Sequence, residues 1–390
     1  MNYDLSGNWT YPTTIRAGAG KLSELVEHCT ALGLKQPLLV TDKGLLAHKM
    51  ITGTLAGLQA AGIKAAVFGE VQGNPTDRNL AEGIRAYLDG GHDGIITIGG
   101  GSAMDVGKLV ALMARQTIPV WDLEDIGDWW TRADASVIAP IIAVPTTAGT
   151  GSEVGRAAVL TNSADATKKI IFHPKMLPAV VIGDPELAVG LPANLTAATG
   201  MDAFTHSFET YCVPRFHPMA DAIALESMRL IRDNLPLACK DGTNIEARMQ
   251  MFAAAMMGGV AFQKGLGAVH SIAHPLGAIH DIQHGLANAV ILPYVVAYNR
   301  PSIETHVQAI AHHLHIDGGF DGFMAWLLEF RKTLNVPHTL ADLGLDGHDA
   351  DEIAAKAMDD PSTASNPRKM DIAGFRKVYL AAVNGDLTVN

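Results

Sequence analysis

Between Pro37 and Asp184, short continuous apolar runs alternate with helical stretches. The runs Pro37–Thr41, Ala65–Phe68, Gly94–Ile98 and Ile138–Val144 are separated by roughly 10 to 20 helix-compatible residues, the pattern of parallel strands covered on both faces. Lys169–Phe172 and Ala179–Ile182 read as two further strands, the second ending in Gly183-Asp184-Pro185. Beyond Pro185 the strand signal stops. Met201–Tyr211, Pro218–Asn234, Glu246–Phe262 and Phe320–Leu334 carry helical spacing, with breaks expected at Leu191-Pro-Ala-Asn194, Asn234-Leu-Pro236 and Asn335-Val-Pro337. Pro361–Lys369 reads as an ordinary loop before a last helix, and there is no internal repeat. The pattern predicts an α/β domain over residues 1–185 followed by an all-helical domain over 186–390.

Composition supports this picture and narrows the function. A chain of 390 residues with 48% hydrophobic and 18% charged residues is long and apolar enough for two packed domains. Its net charge of −11, without long like-charge runs, argues against a nucleic-acid surface, where phosphates would be repelled. Cys29, Cys212 and Cys239 are widely spaced and odd in number, which indicates neither a disulfide framework nor a thiolate metal site. A cytoplasmic location is expected: the first residues lack a basic start followed by an apolar core, and no apolar stretch reaches the roughly 20 residues of a membrane span. The unusual figure is 16 histidines.

Two kinds of candidate chemistry stand out. In the α/β half, Gly94-Ile-Ile-Thr-Ile-Gly-Gly-Gly-Ser-Ala-Met-Asp-Val-Gly-Lys108 is a strand, three glycines and a helix, with Ser102 and Asp105 spaced as a capping box. Glycines let a backbone approach a diphosphate, and the helix N-terminus favours its charge. The spacing is neither Walker A nor GxGxxG, because Ser102 and Leu109 stand where Walker A needs Gly and Ser or Thr. Pro145-Thr-Thr-Ala-Gly-Thr-Gly-Ser152 adds small hydroxylated residues beside the same sheet edge. Asp42, at a strand end, suits a ribose 2′-hydroxyl and repels a 2′-phosphate, favouring NAD over NADP. Taken alone, the glycines also fit a tight turn, and Asp42 a helix cap.

In the helical half, Asp202 and His206 share one helix face at i and i+4, as do His270 and His274, and His284 follows. A satisfied core explains any one such histidine but not five groups in two short apolar segments. One carboxylate with several imidazoles suits Fe(II) or Zn(II). Such an ion with an open position acidifies an alcohol and polarises a carbonyl, the two demands of reversible hydride transfer.

These segments together resemble the iron-containing, group III alcohol dehydrogenase family over nearly the whole chain: Gly99-Gly-Gly-Ser-Ala-Met-Asp105, Pro145–Val154, Gly200–His206 and the stretch carrying His270, His274 and His284. The resemblance implies a Rossmann-like dinucleotide-binding domain and a helical metal-binding domain of the dehydroquinate synthase-like architecture, with the reaction in the interdomain cleft. It implies Asp202, His206, His270 and His284 as ligands of Fe(II), or of Zn(II), and His274 as a proton relay. It also implies NAD contacts at Asp42, Asn74, Gly100, Gly101, Ser102, Asp105, Thr146, Thr147, Thr150 and Lys169. A small alcohol or aldehyde substrate and a homodimer or larger assembly are expected, with no nucleic-acid or membrane partner. The alternatives are a glycerol dehydrogenase, a reductase of an acidic substrate, a dehydroquinate synthase-type lyase, or a non-catalytic metal-binding protein. Three positions depart from the family: Gln283 replaces a usual Pro, His280 is a supplementary ligand or pocket residue, and Arg156 is either an anion-recognising residue or a partner of Glu153 or Asp184.

Overall fold

The computed structural model describes Tyr11 and residues 13–389. They form two compact units dividing at Gly190/Leu191, just beyond a 3-10 turn at Pro185–Ala188.

In the first unit, six strands form one parallel sheet. These are β1 (Thr14–Ala17), β2 (Leu38–Asp42), β3 (Ala66–Val71), β4 (Ile95–Gly99), β5 (Ile141–Pro145) and, after a separate pair, β8 (Val180–Gly183), in the order β1-β8-β5-β4-β2-β3. The separate antiparallel pair is β6 (Ala157–Asn162) and β7 (Thr167–Phe172). Helices α1 (Leu25–Ala31), α2 (Lys49–Ala60), α3 (Asp77–Asp89) and α4 (Gly101–Met113) flank the sheet. Alternation along each strand feeds two cores. Leu38, Val40, Ile95 and Ile141 pack with Val106, Leu109 and Val110 of α4, whereas Leu39, Ile96, Ile98 and Ile142 pack with Leu25, Ile51 and Leu58. Both strand faces are therefore buried, which is why the strands read as unbroken apolar runs.

Lys169–Phe172 is a strand as expected, and it lies in the two-stranded ribbon outside the main sheet, consistent with its mostly half-buried positions. Ser102 and Asp105 do not form a capping box: the N-cap of α4 is Gly100, with no side-chain cap.

The second unit is helical: α5 (Ala193–Cys212), α6 (Pro218–Lys240), α7 (Ile245–Ala261), α8 (Ala268–His280), α9 (His284–His313), α10 (Gly319–Thr333), α11 (Ala350–Met358) and α12 (Ile372–Asn384). Helix α6 runs through the expected break at Pro236, because Leu230, Ile231, Leu235 and Ala238 keep its buried face continuous past the lost amide. Pro361–Lys369 is not an ordinary loop. A 3-10 turn at Pro361–Ser365 packs on the start of α8, where Thr363 Oγ1 donates to Ser271 Oγ at 2.8 Å, Ser365 Oγ to the Leu266 carbonyl at 2.8 Å, and Asn366 Oδ1 accepts the Ala268 amide at 3.1 Å. Among the described residues no single helix is long and apolar enough to cross a membrane.

Candidate functional site

In the first unit, the end of β4 turns into α4 under Asp42. The Asp42 carboxylate, at the end of the neighbouring strand β2, accepts the Gly100 amide at 2.8 Å. A Cβ on Gly99 would lie 2.4 Å from Asp42 Oδ2, and one on Gly101 2.5 Å from the Thr150 methyl, so close packing already demands these glycines. Burial pushes the Asp42 carboxyl up, against the pull of the Gly100 and Ala103 amides. Thr147 lies beside Gly100, and the Thr146 amide donates to the Gly99 carbonyl at 2.9 Å. Asp42, Gly100, Gly101, Thr146, Thr147 and Thr150 are thus brought together around a helix start that Ser102 leaves uncapped.

The other expected nucleotide contacts are occupied within the protein. Asp105 accepts the Ser152 hydroxyl at 2.6 Å and the Val159 amide at 2.9 Å. Lys169 pairs with Glu124 at 3.3 Å, and it is Lys168 that donates to Asn74 Oδ1, at 2.7 Å. Beneath the turn, fully buried Lys108 donates to the Ser152 carbonyl at 2.9 Å and to that of Ala157. Burial lowers its affinity for a proton, and pushes the neighbouring Glu153 carboxyl up to about 7. Arg156 pairs with neither Glu153 nor Asp184; it lies over the Phe172 ring at 5.3 Å. Asp184 instead accepts the Gly20, Leu22 and Glu186 amides.

In the second unit, one ligand-type atom from each of Asp202, His206, His270 and His284 lies within 4.8 Å of every other. Helix α5 supplies Asp202 and His206, α8 supplies His270, and His284 opens α9. Gly285 permits this assembly, since a Cβ there would sit 2.3 Å from the Ala198 carbonyl oxygen and 3.0 Å from the Asp202 Cβ, forcing α9 off α5. Gln283, the departure from the family pattern, caps α9 by accepting the Leu286 amide at 2.6 Å. His280 is no member of the cluster: its Nε2 lies 2.5 Å from Asp349 Oδ2.

The donor set fits a divalent cation. Oδ1 of Asp202 lies 3.9 Å from Nε2 of both His206 and His270 and 3.5 Å from Nε2 of His284. The Asn288 amide nitrogen stands among these acceptors, 2.7 Å from Asp202 Oδ1 and 3.2 Å from Nε2 of His270 and of His284. Acceptors converging on one donor, without thiolates, are an arrangement for a borderline metal ion. Asp202, His206 and His270 are buried, while the His284 side chain keeps 23% exposure and marks the accessible side. The His274 ring stacks on His284 with centroids 5.4 Å apart, and its Nδ1 lies 2.6 Å from Asp360 Oδ2. Burial alone would raise the Asp360 carboxyl; His274 and the Ser362 amide and hydroxyl hold it below the usual range. Burial likewise pushes His270 down, but Glu209 at 2.6 Å, with Asp202 and Asp360, raises it overall.

Sequence reasoning missed Glu209, Asn288 and Asp360. Glu209 follows His206 by three residues and Asn288 follows His284 by four, so helical spacing marks both. Asp360 carries no local signal.

A parallel α/β unit with a glycine turn is followed by a helical unit in which one carboxylate and three imidazoles converge as a candidate metal site. The comparisons agree: the model of the iron-containing alcohol dehydrogenases matches residues 12–185, and that of the C-terminal part of the same family matches residues 196–383. The chain belongs to the iron-containing alcohol dehydrogenase family and is an oxidoreductase of that type. It is 36% identical to the 4-hydroxybutyrate dehydrogenase of Cupriavidus necator (94% of this chain, 97% of the relative) and 35% identical to the NAD-dependent methanol dehydrogenase of Bacillus methanolicus (96% and 100%). The crystal structure of a 1,3-propanediol oxidoreductase matches with a TM-score of 0.91 at 37% identity, over 97% of this chain and 100% of that one.

Proposed function

We propose that this chain is a metal-dependent, NAD(H)-linked alcohol dehydrogenase or aldehyde reductase acting on a small primary alcohol or aldehyde. The observation that carries this reading is the convergence of Asp202, His206, His270 and His284, with His274 stacked beside the most accessible of them. The NAD dependence of the methanol dehydrogenase relative supports the cofactor, as does a carboxylate at Asp42.

In the first unit, the turn at Gly100–Ser102 with Thr146, Thr147 and Thr150 would hold the dinucleotide, and Asp42 would select a free 2′-hydroxyl. In the second, Asp202, His206, His270 and His284 would hold Fe(II), or Zn(II). A divalent cation bound there supplies Lewis-acid polarisation of the substrate oxygen. His274 handles the proton: with Nδ1 held by Asp360, its Nε2 remains for exchange with the substrate hydroxyl. A nicotinamide held by the turn of the first unit would supply reversible hydride acceptance.

Metal-stripped protein should lose turnover of primary alcohols, recover it with Fe(II), and bind NADH throughout, as should His270→Ala without the recovery. Unchanged turnover in metal-free protein would overturn the reading. NADH accumulating in step with alcohol consumed separates a dehydrogenase from a lyase that recycles its nicotinamide.

A further inference from the structure

Glu209 belongs to α5, three residues beyond His206 and seven beyond Asp202, so one helix face carries all three. Its side chain is buried, and both oxygens engage the first turn of α8. Oε2 lies 2.6 Å from His270 Nδ1, and Oε1 accepts the Val269 amide at 2.8 Å. On its other side, His270 presents Nε2 to the Asn288 amide nitrogen, a donor, at 3.2 Å. Only one neutral tautomer satisfies both neighbours, the one with the proton on Nδ1 and the lone pair on Nε2 directed into the cluster.

We propose that Glu209 is a positioning residue for the divalent cation, fixing the orientation and tautomer of His270 and thereby setting how tightly the ion is held. This rests on the metal reading of Asp202, His206, His270 and His284. Asp360 provides an internal control, because it makes an equally short bond to the next histidine of α8, His274, which is not in the ligand set.

The test is titration of metal-stripped wild type, Glu209→Gln and Asp360→Asn with Zn(II) against a chromophoric chelator, alongside the visible absorption of the Co(II)-loaded proteins and the thermal unfolding of the metal-free ones. Glu209→Gln should bind Zn(II) about 10–100-fold more weakly and shift the Co(II) spectrum, while Asp360→Asn binds as wild type does. Should Glu209→Gln not fold, Glu209→Asp, which keeps the charge but shortens its reach, should still weaken binding. Wild-type affinity in the Glu209 variant, or an equal loss in Asp360→Asn, overturns the proposal. A purely structural Glu209 would lower the unfolding temperature of metal-free protein without moving the affinity. A wild-type protein that takes up no Zn(II) would instead sink the metal reading itself.

Discussion

The glycine turn of the first unit and the histidine cluster of the second are built on opposite plans. At the turn, the side chains are largely spent on the protein: Asp42 holds the Gly100 amide, Asp105 holds Ser152 and Val159, and Lys169 holds Glu124. What the turn offers outward is backbone at a helix start and a shape maintained by glycines. At the cluster, the side chains face inward on one another, and the surrounding protein serves to aim them, Glu209 at His270 and Asn288 at Asp202, while Asp360 holds the neighbouring His274. A backbone cradle tolerates no added volume; a side-chain cage tolerates no lost orientation.

Three substitutions test that contrast. The largest effect is expected from Gly285→Ala, whose Cβ meets the backbone carbonyl of Ala198 at 2.3 Å. It should cost about 3 kcal/mol or more of stability and weaken metal binding, measured by denaturant unfolding and Zn(II) titration; intact metal affinity would mean that the cage does not depend on the close approach of α9 to α5.

Glu153→Gln comes next, and its effect depends on pH. Burial raises the pKa of Glu153 in the folded chain from the ordinary glutamate value of 4.5 to about 7. The folded chain therefore binds more protons than the unfolded one between these values, and wild-type stability falls as pH rises through that window, by up to about 1.4 kcal/mol per pH unit. Glutamine does not titrate. The variant should gain on wild type from pH 4.5 to 7 and hold its advantage above, as read from unfolding midpoints across pH, and parallel curves would remove Glu153 from the account.

Gly99→Ala should have the smallest effect, roughly 1–3 kcal/mol of overpacking, because its Cβ meets the Asp42 carboxylate and the Ala103 methyl rather than backbone. It should weaken NADH binding and leave Zn(II) affinity unchanged. A change in both would erase the distinction between the two plans.

The sheet was legible because burial on both faces writes continuous apolar runs, as in Leu38–Val40 and Ile95–Ile98. Strand β1 was not: it lies at a sheet edge, mostly exposed, and leaves no such run. Pro236 misled because a proline breaks a helix only when packing does not hold the helix together. The histidines were legible through i,i+4 spacing and their rarity in apolar surroundings. Their supports were only partly legible: Glu209 shares a helix face with His206 but holds an imidazole 61 residues away, and Asp360, 86 residues from the one it holds, carries no spacing signal. The role of Gln283 as a helix cap emerged only with the Leu286 amide beside it.

The turn at Pro361–Ser365 bears on how the protein is made. Helix α8 is tethered by Asp360, Thr363, Ser365 and Asn366, which follow their partners in the chain by 86 to 99 residues. These residues are synthesised after α8, so the histidine helix has to wait for its clamp. Contacts of such long sequence separation form late and slowly. A nascent chain stopped short of Asp360 would carry every imidazole of the cluster with His274 unanchored.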